Sequence, residues 1–363
     1  MLLAALRAFR IAEWAPHSLS ITLPIRAMII DIVPEDLRDL ESRHAAVLLP
    51  DRSSIVNVAS VPQRSPFRYP GGKTWFVPHL RDWLHSFRKR PAVFVEPFAG
   101  GGIASLTVAM ENLADRVVMA ELDSNVAAVW KVVLSNASTD LIRRIRRFEI
   151  SRAAVVAELC GEAQNDIDVA FQTILRNRVQ RGGILAPGAS LMKNGENNVG
   201  VGSRWYPETL ARRIAAIGAA KNKIEFLHKD AFDVIPKYLR DKSAAFFVDP
   251  PYTAGGKSAG KRLYLHSSID HNSLFDLLET AAGEVMLTYD DANEVRDLAT
   301  AHGFFIKPIA MKTTHHTRTY ELAITNRPFA APRVNESLRL LERSPRYRAK
   351  RKSGDTRNSK KRT

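Results

Sequence analysis

An acid, two prolines and an aromatic in a row, Asp249-Pro250-Pro251-Tyr252, close the apolar run Ala244-Ala245-Phe246-Phe247-Val248. The run reads as a fully buried strand. The prolines cannot continue a sheet, so Asp249 and Tyr252 are presented at its carboxyl end. In open α/β sheets ligands bind at that end. A carboxylate, the fixed Pro250 carbonyl and an aromatic face together suit a planar heterocycle with an exocyclic amine. Asp249 and Pro250 accept the two amine hydrogens while Tyr252 stacks on the ring. As a bare tetrapeptide the stretch is also an ordinary strand-to-turn transition.

Two further stretches have residues suited to chemistry. Residues 92–96 read as a buried strand, Pro97 to Gly102 as the loop after it, and 103–112 as a helix. Strand, glycine-rich turn and helix start form the nucleotide-cradling unit of α/β folds, which sets Phe98, Ala99, Gly100, Gly101 and Gly102 against a ligand. The loop is neither a dinucleotide GxGxxG fingerprint nor a Walker loop. About one strand later, residues 117–123 carry Glu121, a carboxylate placed to accept hydrogen bonds from a ribose diol. Upstream, residues 67–73 precede a helix over 75–87. Gly71-Gly72 lets the backbone take positive φ and approach a ligand closely. Lys73 then sits near a helix start, where its cation is aimed at an anion rather than at the helix dipole. A turn with a solvated lysine is the plain alternative.

The elements that must position these residues alternate strand and helix, which is the pattern of an α/β fold. The chain has 363 residues, enough for one large or two modest domains, and a formal net charge of +15. That balance favours a polyanionic partner, nucleic acid before membrane. Cys160 is the only cysteine, which rules out a disulfide framework and a cysteine-based metal cluster and suits a reducing compartment. The apolar start 1–6 is interrupted by Arg7 and Arg10, and no run approaches a bilayer-spanning length. A cytoplasmic protein with no membrane partner is expected.

Residues 1–60 form an extension with a helix expected over 34–49 and no assigned function; Met28 is an alternative start. Residues 61–134 and 206–330 make the main α/β domain, with strands at 223–228, 244–248 and 284–289, a helix at 272–282, and a closing hairpin of 304–310 and 320–325. Gly255, Gly256 and Gly260 with Lys257, Lys261 and Arg262 give a basic loop. His315-His316 lacks a third ligand at useful spacing, so no metal is expected. Residues 135–205 break the alternation. A basic helix is expected over 140–159 (Arg143, Arg144, Arg146, Arg147) and another over 168–179 (Arg176, Arg178). A glycine-punctuated segment then ends in Arg204-Trp205-Tyr206. Phosphate-binding arginines with stacking or wedging aromatics are one reading of this insertion, and a helical lid with a solvated arginine face is the other. Residues 331–363 form a basic tail, expected to be solvated and to add unspecific DNA affinity.

RYPGGK at 68–73, VEPFAGGG at 95–102, AELDSN at 120–125, HKDAF at 228–232 and DPPY at 249–252 occur in one fixed order. In that order they resemble the motifs of Dam-type (alpha-group) adenine-specific DNA methyltransferases, which use S-adenosylmethionine. The resemblance spans roughly 61–330 and takes in RWYPETLARRI at 204–214 and TRTYELAITN at 317–326. It implies a Rossmann-like S-adenosylmethionine-dependent methyltransferase sheet with an inserted, mostly helical target-recognition domain between the second and third strands. It also implies that Tyr69, Lys73 and Phe98 to Gly102 surround the methionine portion of the cofactor, with Asp249 nearby. Glu121, at a position more often Asp in relatives, would hold the ribose hydroxyls, and Asp230 would read the cofactor's adenine. Arg176, Arg178 and Arg204 are the candidate DNA contacts.

The amine of adenine is a poor nucleophile because its lone pair is delocalised into the ring. Acceptors at Asp249 and Pro250 favour a pyramidal nitrogen whose lone pair points at the sulfonium methyl, so transfer depends on positioning and electrostatics. The base must leave the duplex, which costs a few kcal/mol. No metal is required. Methylation of cytosine N4, methylation of RNA adenine, and a catalytically idle sequence-specific DNA-binding protein remain alternatives. Double-stranded DNA is the expected partner, with a restriction endonuclease as an open companion and a monomer or weak dimer as the expected state.

Overall fold

The computed structural model describes residues 56–68, 71–186, 188–195, 199–251, 269–312 and 318–329. The helix expected over 34–49, Tyr69, Tyr252, the basic loop at 255–262, His315-His316 and the tail lie outside the described residues. Among the described residues, seven strands form one sheet: β1 (Val93–Glu96), β2 (Arg116–Ala120), β3 (Ile224–Leu227), β4 (Ala244–Val248), β5 (Glu284–Asp290), β6 (Phe305–Lys312) and β7 (Arg318–Thr325). Their order is β3-β2-β1-β4-β5-β7-β6. The first five are parallel, and β7 lies antiparallel between β5 and β6.

β1 and β4 are buried along their whole length. A parallel strand covered on both faces needs apolar side chains pointing both ways, which is why 244–248 read as an unbroken apolar run. The faces separate by strict alternation. Phe94, Met119, Ala245, Phe247, Met286 and Ala323 share one core; Val93, Val95, Phe246, Val248, Leu287 and Leu322 share the other. Helices α1 (Val77–Ser86), α2 (Ile103–Met110) and α3 (Ser124–Val133) pack on the first face through Phe76, Leu80, Leu106 and Trp130. The short α8 (Ala231–Val234), α9 (His271–Glu279) and α10 (Asn293–Ala301) close the second through Val234, Phe275 and Val295.

Between β2 and β3 run α4 (Ser138–Arg147), α5 (Arg152–Cys160), α6 (Asp166–Val179) and α7 (Pro207–Ala220). The single basic helix expected over 140–159 is two helices. Phe148 leaves the helix at φ −74°, ψ 109°, and its ring packs edge-on to Phe171 at 5.2 Å and Trp205 at 5.8 Å. Ser151 then restarts the chain as an N-cap, its side chain accepting from Ala154 N. A half-buried aromatic and a good cap outweigh the helix propensity of the residues between. Here α6 packs on α3, and α4 on α7. Leu141, Ile145, Phe171 and Ile174 belong to the same apolar core as Phe94 and Met119, so residues 135–205 are built onto the sheet's own core. Of the arginines of α4, Arg143, Arg146 and Arg147 are exposed and Arg144 is half-buried. Arg143 pairs with Asp140, Arg146 with Glu208, and Arg144 with Glu158 and Asp168 while lying over the Phe171 ring. Among the described residues, no helix is long and apolar enough to cross a membrane.

Candidate active site

Strand order reverses at β1, whose neighbours β2 and β4 lead away on opposite sides, and a crevice opens at such a point beyond the carboxyl ends. The chain forms there a cavity of about 270 Å³, lined by Gly71 to Lys73, Glu96 to Ile103, Glu121 to Asp123, Asp230 to Phe232, Asp249 to Pro251, Ile269 and Asp270. The glycine loop forms one wall. Gly100 and Gly102 have φ of +47° and +63°, which side chains rarely adopt. The loop is fixed from behind: Ala99 N donates to Ala120 O at 2.8 Å, Trp130 Nε1 to Gly100 O at 3.0 Å, and Ser65 Oγ to Gly101 O at 2.5 Å.

Glu121, just beyond β2, ties this loop to the second strand. Its Oε2 accepts from Gly100 N at 2.8 Å, and its Oε1 from Leu122 N at 2.9 Å and Asp123 N at 2.8 Å. A carboxylate oxygen has two lone pairs, so Oε1 is saturated and Oε2 retains one for a hydroxyl on a ligand. Burial pushes the Glu121 carboxyl up to about 7, against the pull of these backbone donors. Asp230, after the strand β3 that pairs with β2, caps α8 by accepting from Phe232 N at 2.8 Å. An acceptor for a hydroxyl, a glycine wall without side chains and a second acid beside Phe232 match the ribose and purine of S-adenosylmethionine.

Asp249 sits where β4 stops. Its Oδ1 accepts from Thr288 Oγ1 at 2.8 Å and lies 2.8 Å from Lys73 Nζ. Lys73, in a short 3₁₀ turn ahead of α1, is 5% exposed and also pairs with Glu321 Oε1 at 3.0 Å and donates to Gly71 O at 3.2 Å. Burial alone would lower the Lys73 pKa, but the two carboxylates outweigh it and hold the ammonium above its ordinary range. The anion expected for Lys73 thus includes Asp249 and Glu321 of the protein itself. On the other sheet face Tyr289 OH and His271 Nδ1 share a hydrogen bond of 2.9 Å; burial first, then the Asp249 charge, keeps the phenol protonated.

Of the residues the sequence pointed to, Lys73, Phe98 to Gly102, Glu121, Asp230, Asp249, Pro250 and Pro251 meet around this one cavity. Glu96, Thr288 and Glu321 are additions. Glu96 is 3% exposed, with Oε2 accepting from Ser105 N at 2.7 Å; burial raises its carboxyl to about 8. An acid inside an apolar strand was the available sign for Glu96 and Glu321, since a charge there must be paired or neutral.

The candidate DNA contacts lie elsewhere. Arg176 is half-buried and donates to Gln172 Oε1 at 3.3 Å. Arg178 is 4% exposed, so it is no open phosphate contact: it donates to Pro66 O, and its Nε has no hydrogen-bond partner among the described residues. Arg213 donates to the preceding carbonyl, Ser65 O, at 3.0 Å. Burial first, then the charges of Arg213, Arg68 and Arg204, lower the Arg178 pKa to about 9. Four guanidinium groups therefore crowd the segment that leads into Gly71–Lys73. Trp205 is not an exposed wedge: it is 7% exposed and packs on Phe148 and Phe171, whereas Tyr206 is 51% exposed.

A Rossmann-like sheet with β7 turned antiparallel, a glycine loop after β1 and an acid after β2 define an S-adenosylmethionine-dependent methyltransferase. The model of the D12 class N6 adenine-specific DNA methyltransferase family matches residues 69–314, and the chain belongs to that family. It is an adenine-specific DNA methyltransferase. No curated protein matches the chain. Among solved structures it is similar to a putative RNA methyltransferase from Pyrococcus horikoshii, at 10% identity and a TM-score of 0.35 over 74% of this chain and 92% of that one. It is also similar to an rRNA methyltransferase from Streptomyces viridochromogenes, at 13% identity and a TM-score of 0.33 over 79% of this chain and 93% of that one. The assignment rests on the family match and the site.

Proposed function

We propose that the chain methylates the N6 amine of an adenine flipped out of double-stranded DNA at a particular sequence. The observation that supports this most is the placement of Asp249 on the wall of the cofactor cavity, with its carboxylate oriented by Lys73 and Thr288. S-adenosylmethionine, when bound, supplies the methyl group as a sulfonium. Asp249 and the Pro250 carbonyl accept the amine hydrogens and turn its lone pair out of conjugation, and Tyr252 stacks on the base. Positioning and fixed charge do most of the rest. Extrusion of the base costs a few kcal/mol, which stacking and backbone contacts offset.

Residues 135–205 supply target recognition in this reading, with Arg176 and Arg204 at the duplex backbone. Arg178, buried against the Pro66 carbonyl, holds the segment that leads into Gly71–Lys73 and does not itself meet the duplex. The test is transfer of labelled methyl from S-adenosylmethionine to DNA and to RNA, with nucleoside analysis of the product. N6-methyladenine in duplex DNA is the expected product, and Asp249→Ala should lose it while keeping DNA binding. N4-methylcytosine, product in RNA alone, or full activity of Asp249→Ala would overturn the reading.

A further inference from the structure

We infer that Glu321 is a positioning residue for methyl transfer, acting on Asp249 through the Lys73 ammonium. The inference rests on the reading that Asp249 receives the amine.

The sheet's own alternation brings these groups together. Ala245 and Phe247 point to the face covered by α1, and Asp249, two residues on, continues that series. Met286 lies on the same face, which puts Thr288 there also, and Thr288 is opposite Ala323 in the antiparallel register. Ala323 faces α1 as well, so Glu321, opposite Asp290, completes the row. Lys73 enters this face from the turn that begins α1. Glu321 is 5% exposed and Thr288 fully buried. A carboxylate, an ammonium, a second carboxylate and a hydroxyl from four separate chain segments are thus linked in series at 3.0, 2.8 and 2.8 Å.

Stability does not account for the arrangement. Replacing buried ions by apolar groups of similar volume is often neutral or stabilising, because desolvation of the charges is so expensive. The chemistry of the acceptor does account for it. An ammonium with one carboxylate partner centres on that partner and blunts its strength as an acceptor. A second carboxylate on Nζ shares the ammonium, leaves the trio with a net negative charge, and keeps Asp249 strongly accepting. With Thr288 on the same Oδ1, the plane of the Asp249 carboxylate is also fixed. Placement errors of 1 Å cost about 100-fold in rate.

The experiment compares full-length wild type with Glu321→Gln, Glu321→Asp and Lys73→Met, alone and combined, on methyl transfer, cofactor binding by calorimetry, and unfolding temperature. Glu321→Gln should lower kcat about 100-fold while leaving KM and calorimetric affinity for S-adenosylmethionine unchanged. Glu321→Asp, which restores the charge, should recover part of the rate. In the Lys73→Met background, Glu321→Gln should add no further loss of kcat. An unchanged kcat in folded Glu321→Gln would overturn the inference, as would an equal loss in both backgrounds or a rise in KM alone. If the wild type methylates RNA instead of DNA, the substrate reading fails while the same comparison on that product still decides the role of Glu321. If Glu321→Gln does not fold, Glu321→Asp takes its place: its shorter side chain loosens the pairing, so a lowered kcat that is absent in the Lys73→Met background is expected, and an unchanged kcat overturns the inference.

Discussion

Trp130 occupies the place that a side chain on Gly102 would need. A Cβ built on Gly102 would lie 2.8 Å from Trp130 Cζ2 and 3.1 Å from Met119 Cε. The Trp130 indole is fully buried and its Nε1 holds the Gly100 carbonyl, so it cannot retreat without releasing the loop. The loop's shape is therefore set from inside the core.

Gly102→Ala tests this directly. The residue must keep φ near +63° and displace a packed indole, and overpacking of this kind costs about 1–3 kcal/mol. The expected outcome is a folded protein with affinity for S-adenosylmethionine reduced about tenfold, since 1.4 kcal/mol is a factor of ten. Calorimetry reads it; wild-type affinity would show that the loop adapts.

Glu96 provides a pH signature. Its buried carboxyl titrates near 8 instead of 4.5, so between those values the folded state holds more protons than the unfolded chain. Wild-type stability should therefore be full at the acid end of this window and fall as pH rises through it, at up to about 1.4 kcal/mol per pH unit. Glu96→Gln keeps an acceptor for Ser105 N and removes the titration. Chemical denaturation from pH 5 to 8 should show the variant gaining on the wild type as pH rises; parallel curves would place the titration elsewhere.

The ordering of glycine loop, Glu121, Asp230 and Asp249 was legible because strand ends and breakers are local in sequence. Phe246 and Phe247 read as one buried run, and the sheet order then placed that run beside β1. What the sequence did not disclose depends on pairing across long separations. Lys73 meets Asp249 and Glu321 only after β4, β5 and β7 are laid side by side. The arginines of residues 135–205 looked like one class in sequence, yet Arg144 is spent on Glu158 and Asp168 and Arg178 is turned inward on Pro66. Composition alone does not separate these two from Arg143, Arg146 and Arg147, which stay exposed.

Asn177 latches the segment that carries the arginine cluster. It is fully buried, accepts from Arg68 N at 2.7 Å, and donates to Arg68 O at 3.2 Å and Gly183 O at 2.8 Å. Asn177→Ala strands the buried Gly183 carbonyl, worth about 1–3 kcal/mol when left without a partner, and removes two part-buried bonds to the Arg68 backbone. Denaturation should show a loss of about 2–4 kcal/mol, and DNA affinity should fall more than cofactor affinity. Equal losses in both would mean that the latch supports the fold alone.

The arginine cluster and the tail should contribute to DNA binding in different ways. Residues 333–363 carry Arg333, Arg339, Arg343, Arg346, Arg348, Lys350, Arg351, Lys352, Arg357, Lys360, Lys361 and Arg362 against Glu336, Glu342 and Asp355. Such a run has charge but no apolar periodicity with which to hold a register, so it adds attraction that ignores sequence. Deleting it should weaken binding to every duplex about equally and flatten the salt dependence, because each phosphate left unneutralised lowers the slope of log affinity against log salt by about 0.9. The methylated sequence should not change. The cluster should behave differently, because Arg178 and Arg213 are anchored to consecutive carbonyls. Arg213→Ala should lower affinity with a smaller change in slope and a larger loss of kcat, since the same segment continues into Lys73. Binding titrations over a salt series, with product mapping by sequencing, distinguish the two; a changed target motif after tail deletion would move base recognition into the tail.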